Sequence, residues 1–243
     1  MSIPKVIYQT FKTADLPFIT QWHIARLKKK NPDYKYEFYD DQRIEDFIAA
    51  EYSDEVLSLY QKIDIGAAKA DFFRYAILYK RGGIYLDIDS LAIAPFHTFI
   101  KENDEALIAM ETHPGVCVQW ALIFASGHPF LKKAMDLMID NLKHDAFPND
   151  VHSMTGPTVY TAAITACLKS DHTIPYGLMG VDYQGCFKFH YHMSKFFLYR
   201  GLQHWKKAQL SRTVLRQGAE VHTLVRPVLE ELQRLQPVLV EIE

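Results

Sequence analysis

The sequence predicts an α/β fold: one mixed, Rossmann-like sheet flanked by helices, with a helical tail. Three observations carry this. Short β-branched and aromatic runs alternate with longer stretches of helical spacing along most of the 243 residues. Glycine and proline sit at the joints between them. Apolar residues make up 49% and charged residues 23%, ordinary for a globular chain long enough to bury a sizeable core.

The elements follow in order. KVIYQTF, near the start, reads as a buried first strand, and Pro17 to Lys30 as a helix stopped by Asn31-Pro32. Tyr34, Tyr36 and Phe38 alternate with Lys35, Glu37 and Tyr39 as a second strand. Asp40-Asp41 can cap a helix over Ile44 to Ala50, because a carboxylate accepts from free amides of the first turn. Helices follow over Ser53 to Lys62 and Gly66 to Lys80, the latter ended by Gly82-Gly83. Ile84 to Ile88, Ala106 to Glu111 and Trp120 to Ser126 read as strands. His128-Pro129 opens a helix through Leu142, and a TGP loop leads into another ending near Leu168. No repeat, low-complexity segment or linker interrupts residues 1–210, which read as one domain. Residues 211–243 form the extension. From Val221 it places Leu224, Val225, Val228, Leu229, Leu232 and Leu235 at helical spacing, a face for its own domain or a second copy.

The formal net charge of -2 excludes an overall field that draws nucleic acid. Arg26 to Lys30 is the one basic cluster and sits where cations suit a helix end. Cys117, Cys167 and Cys186 are scattered, which argues against zinc or a disulfide framework and for a reducing compartment. The first residues show no signal-peptide pattern, and no apolar run nears the roughly 20 residues of a membrane span. A cytoplasmic protein, at most peripheral to a membrane, is the expectation.

The chemistry concentrates in ADFFRYAILYKRGGIYLDIDS, Ala70 to Ser90. Aspartate is unfavourable in strands, yet Asp87 and Asp89 follow Tyr85 there. On a continuous strand these three share one face while Ile84, Leu86 and Ile88 share the other. Carboxylates about 7 Å apart at their Cα atoms can converge on one hard divalent cation, which takes its remaining oxygens from water and phosphates. A bare D-x-D arises about once by chance at this aspartate content, so the context decides. Asp71 and Arg74 stand three apart on the preceding helix, either as a surface ion pair or as part of the same site.

The pattern A-D-x-x-R-Y-x-x-L-Y-x-x-G-G-I-Y-x-D-x-D resembles that of the DXD-containing sugar transferases of glycosyltransferase family 32. That family includes yeast-type mannosyltransferases and bacterial capsule and lipopolysaccharide sugar transferases, and is related to clostridial glucosylating toxins. The likeness extends more loosely to IPKVIYQTF, GHPF and TGP. It implies a GT-A fold, a UDP- or GDP-linked sugar donor, Mn²⁺ or Mg²⁺, a glycan-type acceptor and retention of configuration. By the same analogy Asp87 contacts the sugar or ribose, and Asp89 ligates the metal. Asp71 and Arg74 hold the transferred sugar, and Tyr85 the phosphate or sugar. Gln9 and Thr10 line the nucleotide pocket. The chain departs from the family in having Tyr8 and Phe11 where histidine and tryptophan are usual, and Gln119 near a usual asparagine. Its Leu202 to Gln209 segment matches a closing motif through His204 and Trp205 but lacks the later serine and tryptophan. His204 is the candidate further metal ligand, and His190 and His192 read as a surface pair.

Two other readings compete. Haloacid-dehalogenase phosphatases also end a strand in D-x-D, but near the N-terminus and with a downstream G-D-x-x-x-D that is missing here. A transferase fold that only binds sugar is the third.

Overall fold

In the computed structural model, residues 2–112, 115–192, 194–199 and 205–216 are described. The elements run β1 (Val6–Thr10), α1 (Phe18–Lys30), β2 (Lys35–Tyr39), α2 (Asp41–Glu51), α3 (Asp54–Lys62) and α4 (Gly66–Arg81). There follow β3 (Gly83–Leu86), β4 (Leu91–Ala92), a 3-10 turn at Phe96–Thr98, β5 (Ala106–Ala109), β6 (Ala121–Phe124) and α5 (Pro129–Lys143). The chain continues with α6 (Val151–Met154), α7 (Pro157–Ser170), β7 (Gly177–Met179), β8 (Phe187–Lys188), α8 (Ser194–Phe197) and α9 (Trp205–Ser211).

Six strands form one sheet in the order β2-β1-β3-β6-β5-β7. Strand β6 runs against β3 and β5, while the β1–β2, β1–β3 and β5–β7 pairs are parallel. Alternation along each strand separates two cores. Tyr8, Tyr85, Leu122 and Phe124 pack with α4, α5 and α7 on one face. Ile7, Ile84, Leu86 and Ile123 pack with Phe96, Tyr183 and Phe187 on the other. Both faces are covered, as a mostly parallel sheet requires.

Local chemistry sets the element ends. The Asp40 carboxylate accepts from the Arg43 amide at 2.9 Å and starts α2 three residues before Ile44. His128 Nδ1 accepts from the Phe130 amide, with Pro129 opening α5. Gly82 and Gly83 have φ of 64° and 111°. A Cβ on Gly82 would lie 2.6 Å from the Ser126 nitrogen, and one on Gly83 2.8 Å from the Val6 carbonyl. Only glycine lets α4 turn this tightly against the sheet.

One expectation is corrected. The strand ends at Leu86, not Ile88, because pairing with β6 begins at Ala121. The Ser90 amide then donates to the Asp87 carbonyl at 2.9 Å, closing a turn. Asp87 and Asp89 therefore owe their placement to a turn at the strand's carboxyl end and not to strand alternation. A turn there resolves the conflict between aspartate and strand propensity.

Beyond α9, Asp64 donates its amide to Val214, and Leu215 bridges Ile63, so residues up to Arg216 pack on the domain. The helical pattern from Val221, and any pairing of copies through it, lies outside the described residues. Among the described residues no helix is long and apolar enough to cross a membrane.

Candidate active site

The site lies at the carboxyl ends of β1 and β3, where α/β sheets present their ligand crevices. Its frame is buried and charged. Asp71 and Arg74 are each 5% exposed, which rules out a surface ion pair. Arg74 Nη2 lies 3.3 Å from Asp71 Oδ1 and 3.0 Å from Asp87 Oδ1. Its Nη1 donates to the Gln119 carbonyl at 2.8 Å and its Nε to the Ala70 carbonyl at 3.3 Å. The guanidinium also sits 4.7 Å from the centre of the Tyr85 ring. Thus one planar cation joins the helix, the strand end and the segment before β6, a task suited to the rigid fork of arginine.

Hydroxyls and amides complete this frame. Tyr85 donates to Asp87 Oδ1 at 3.0 Å, and Thr155 donates to Asp71 Oδ2 at 2.9 Å. Gln119, 5% exposed, donates to the Tyr75 hydroxyl. Gln9 donates to the Asp87 carbonyl at 3.1 Å and accepts from the Tyr36 hydroxyl at 3.1 Å, tying the turn to β1 and β2.

Asp89 is held from elsewhere. Its Oδ2 accepts from the Tyr199 hydroxyl at 3.3 Å. His190 Nδ1 lies 2.9 Å from the same oxygen, a close contact whose angle falls outside hydrogen-bond geometry. The Asp89 carbonyl accepts from the Tyr191 amide at 2.9 Å, and the Tyr191 hydroxyl meets Thr20 on α1. Phe11 packs edge-on against Tyr199, with ring centres 6.2 Å apart. His190, 31% exposed at its side chain, thus meets Asp89 as well as solvent.

Burial shapes the electrostatics. The Asp87 carboxyl is pushed up to about 6, first by burial and then by Asp89, against the lowering pull of Arg74. Burial likewise raises Asp71, which Arg74 and Thr155 partly offset. For Arg74, burial favours losing the proton, but Asp87, Tyr85 and Asp71 outweigh it and raise its pKa. Arg74 pairs with two carboxyls, Asp71 and Asp87, and Asp89 stands close to Asp87, an excess of negative charge that a divalent cation would offset.

The donor set fits such an ion. Among the described residues, side-chain bonds reach only one oxygen of each carboxyl, Oδ1 of Asp87 and Oδ2 of Asp89. The other oxygen of each, Oδ2 of Asp87 and Oδ1 of Asp89, is where a hard cation would bind. No cluster of three or more His, Cys, Asp or Glu with metal-binding geometry occurs among the described residues. Two carboxylates with the rest of the shell from phosphates and water is how Mg²⁺ is commonly held.

The other sequence candidates divide. Thr10 donates to the Tyr39 carbonyl at 2.7 Å, closing the β1–β2 end. Trp205 opens α9, half-buried against the larger core. His204 lies outside the described residues. Sequence reasoning missed Thr155, Tyr199 and His190 as site members; TGP and the histidine pair were visible, but what they touch was not.

A covalent phosphatase mechanism fits poorly. Its D-x-D ends a strand near the N-terminus, whereas the turn here follows the third strand, β3.

A family model described as a glycosyltransferase sugar-binding region containing a DXD motif matches residues 19–109. Inositol phosphoceramide mannosyltransferase 3 of Schizosaccharomyces pombe is 34% identical over 148 residues, covering 60% of this chain and 39% of that protein. The initiation-specific alpha-1,6-mannosyltransferase of Candida albicans is 28% identical over 201 residues, covering 66% and 52%. The chain thus spans about half or less of these relatives' length. Among solved structures, the PaToxG glycosyltransferase superposes with a TM-score of 0.58 at 17% identity, covering 98% of this chain and 86% of that one. The resemblance read from Ala70 to Ser90 is borne out: residues 19–109 match the DXD-containing sugar-binding region of glycosyltransferases, and the sheet is similar in fold to GT-A glycosyltransferase structures.

Proposed function

We propose that the chain transfers a hexose from a UDP- or GDP-linked sugar to a glycan-type acceptor, with retention, using Mn²⁺ or Mg²⁺. One observation carries this reading: each DXD carboxyl is anchored through one oxygen and keeps the other for a cation. The relatives' names favour mannose as the hexose. Surface-glycan assembly in a reducing, cytoplasmic compartment is the setting we assign, supported by the three free cysteines.

In this reading the bond between the sugar's C1 and the β-phosphate oxygen breaks, and its electron pair leaves on the nucleoside diphosphate. The acceptor hydroxyl oxygen bonds C1, and its proton passes to the diphosphate product. The cation, when bound, offsets charge growing on the leaving phosphate. Asp87 and Asp89 hold it, with Tyr199 and His190 fixing Asp89. Arg74, itself paired with Asp71, fixes Asp87, and the pair is assigned to the transferred sugar. Gln9, Thr10 and Phe11 stand on the nucleotide side, and Gln119 and Tyr85 behind the sugar.

Thermal shifts with UDP- and GDP-hexoses test this, because a true donor stabilises the folded state by mass action. A donor should raise the melting temperature with Mn²⁺ and much less with EDTA. No shift with any donor would sink the reading.

A further inference from the structure

A groove of about 430 Å³ opens beside the DXD turn, between the β4–β8 pair and Trp120. Ile93, Trp120, Phe187 and Phe189 wall it, with Asp182 and Lys188 among its lining. We propose that this groove is the acceptor subsite and that it takes a sugar ring; the assignment rests on the transferase reading above.

Position comes first. The groove shares its walls with the supports of both aspartates. Trp120 gives its carbonyl to the Asp87 amide at 2.8 Å. Phe189 stacks on His190 at 3.8 Å between ring centres, and His190 touches Asp89. Trp120 and Phe189 face each other at 5.4 Å. Gln9 and Tyr36, which frame the nucleotide side in our reading, hold the turn from the opposite side of β3, toward β1 and β2. An acceptor must reach the sugar from the side the nucleotide leaves open, and this groove lies on it.

The lining decides the occupant. Phe189 is 50% and Ile93 38% exposed, beside a reacting centre, where apolar surface left in a concave site marks a ligand. The volume falls within the roughly 300–1,000 Å³ of small-molecule pockets. A sugar ring has an apolar C–H face, which suits Phe189, and hydroxyls at its edge. Asp182 and Lys188, both exposed, can accept from and donate to those hydroxyls. A lipid chain would use the apolar wall but make no use of either charge.

Octyl α-D-mannopyranoside below its micelle concentration carries a ring and a chain on one probe. In saturation-transfer NMR with the full chain, the ring protons should take the signal. Phe189→Ala should cut it at least fivefold, and Ile93→Ala on the other wall should weaken it too. Donor hydrolysis, which needs no acceptor, should change less than twofold in Ile93→Ala. Signal carried by the octyl chain, or a ring signal unchanged in both variants, overturns the proposal even where the wild type hydrolyses donor. A wild type that neither binds nor hydrolyses any donor overturns the transferase reading beneath it.

Discussion

The two aspartates of the DXD turn are only two residues apart, yet the protein secures them in opposite ways. Asp87 is tied to its own neighbourhood: Tyr85 on β3, and Arg74 on the helix before it, itself paired with Asp71. These partners are buried and interlocked, with Arg74 using its donors on four separate groups. Asp89 is tied to a distant segment, with Tyr199 standing 110 residues away. That segment is more open: His190 is 31% exposed at its side chain, and Phe196 and Phe197 are 56% and 42% exposed. The difference teaches that one carboxyl is set when α4 folds against β3, whereas the other is set only when the later segment docks.

The contrast breaks most sharply at Arg74. Arg74→Ala would leave Asp71 and Asp87 buried without their cation, a loss on the order of 3–5 kcal/mol. For a chain of this size the melting temperature should fall by roughly 10 °C. Denaturant unfolding measures it. A cost under about 1 kcal/mol would mean that the frame behaves as an exposed pair and that the geometry described for it is wrong.

The opposite side should be soft in stability and sensitive in binding. Tyr199→Phe removes one long hydrogen bond to Asp89 and should cost about 1 kcal/mol. Cation affinity should drop about threefold, because the carboxyl loses its orientation and not its charge. Calorimetry with Mn²⁺ and UDP reads the affinity. A stability loss as large as that of Arg74→Ala would erase the distinction between the two halves.

The same distinction explains what the sequence revealed. The Asp71, Arg74, Tyr85 and Asp87 group lies within seventeen residues, so helix spacing and the glycine pair already bring it together. The strand was read two residues too long because alternation says nothing about where the partner strand begins. Here β6 starts at Ala121, and the backbone turns after Leu86. Tyr199 and His190 were not legible as partners of Asp89, since contacts across a hundred residues leave no local pattern. Thr155 was flagged only as part of TGP; that its hydroxyl donates to Asp71 depends on how α6 packs near α4.

The central claim is that Asp87 and Asp89 jointly hold a divalent cation beneath a diphosphate, and titration calorimetry of UDP and GDP tests it directly. With Asp87 raised to about 6, the folded protein keeps a proton that the unfolded chain releases near pH 4. The metal-free protein therefore loses some stability as pH rises from about 4 to about 6, while the deprotonated site gains affinity for a cation. At pH 7.5 one of the two nucleotides should bind with Mn²⁺ and lose at least tenfold in affinity with EDTA. Lowering the pH to 5.0 should cost about tenfold in the Mn²⁺ arm, because roughly one Asp87 in ten is then ionised. Equal nucleotide affinity with Mn²⁺ and with EDTA at pH 7.5 would contradict the account.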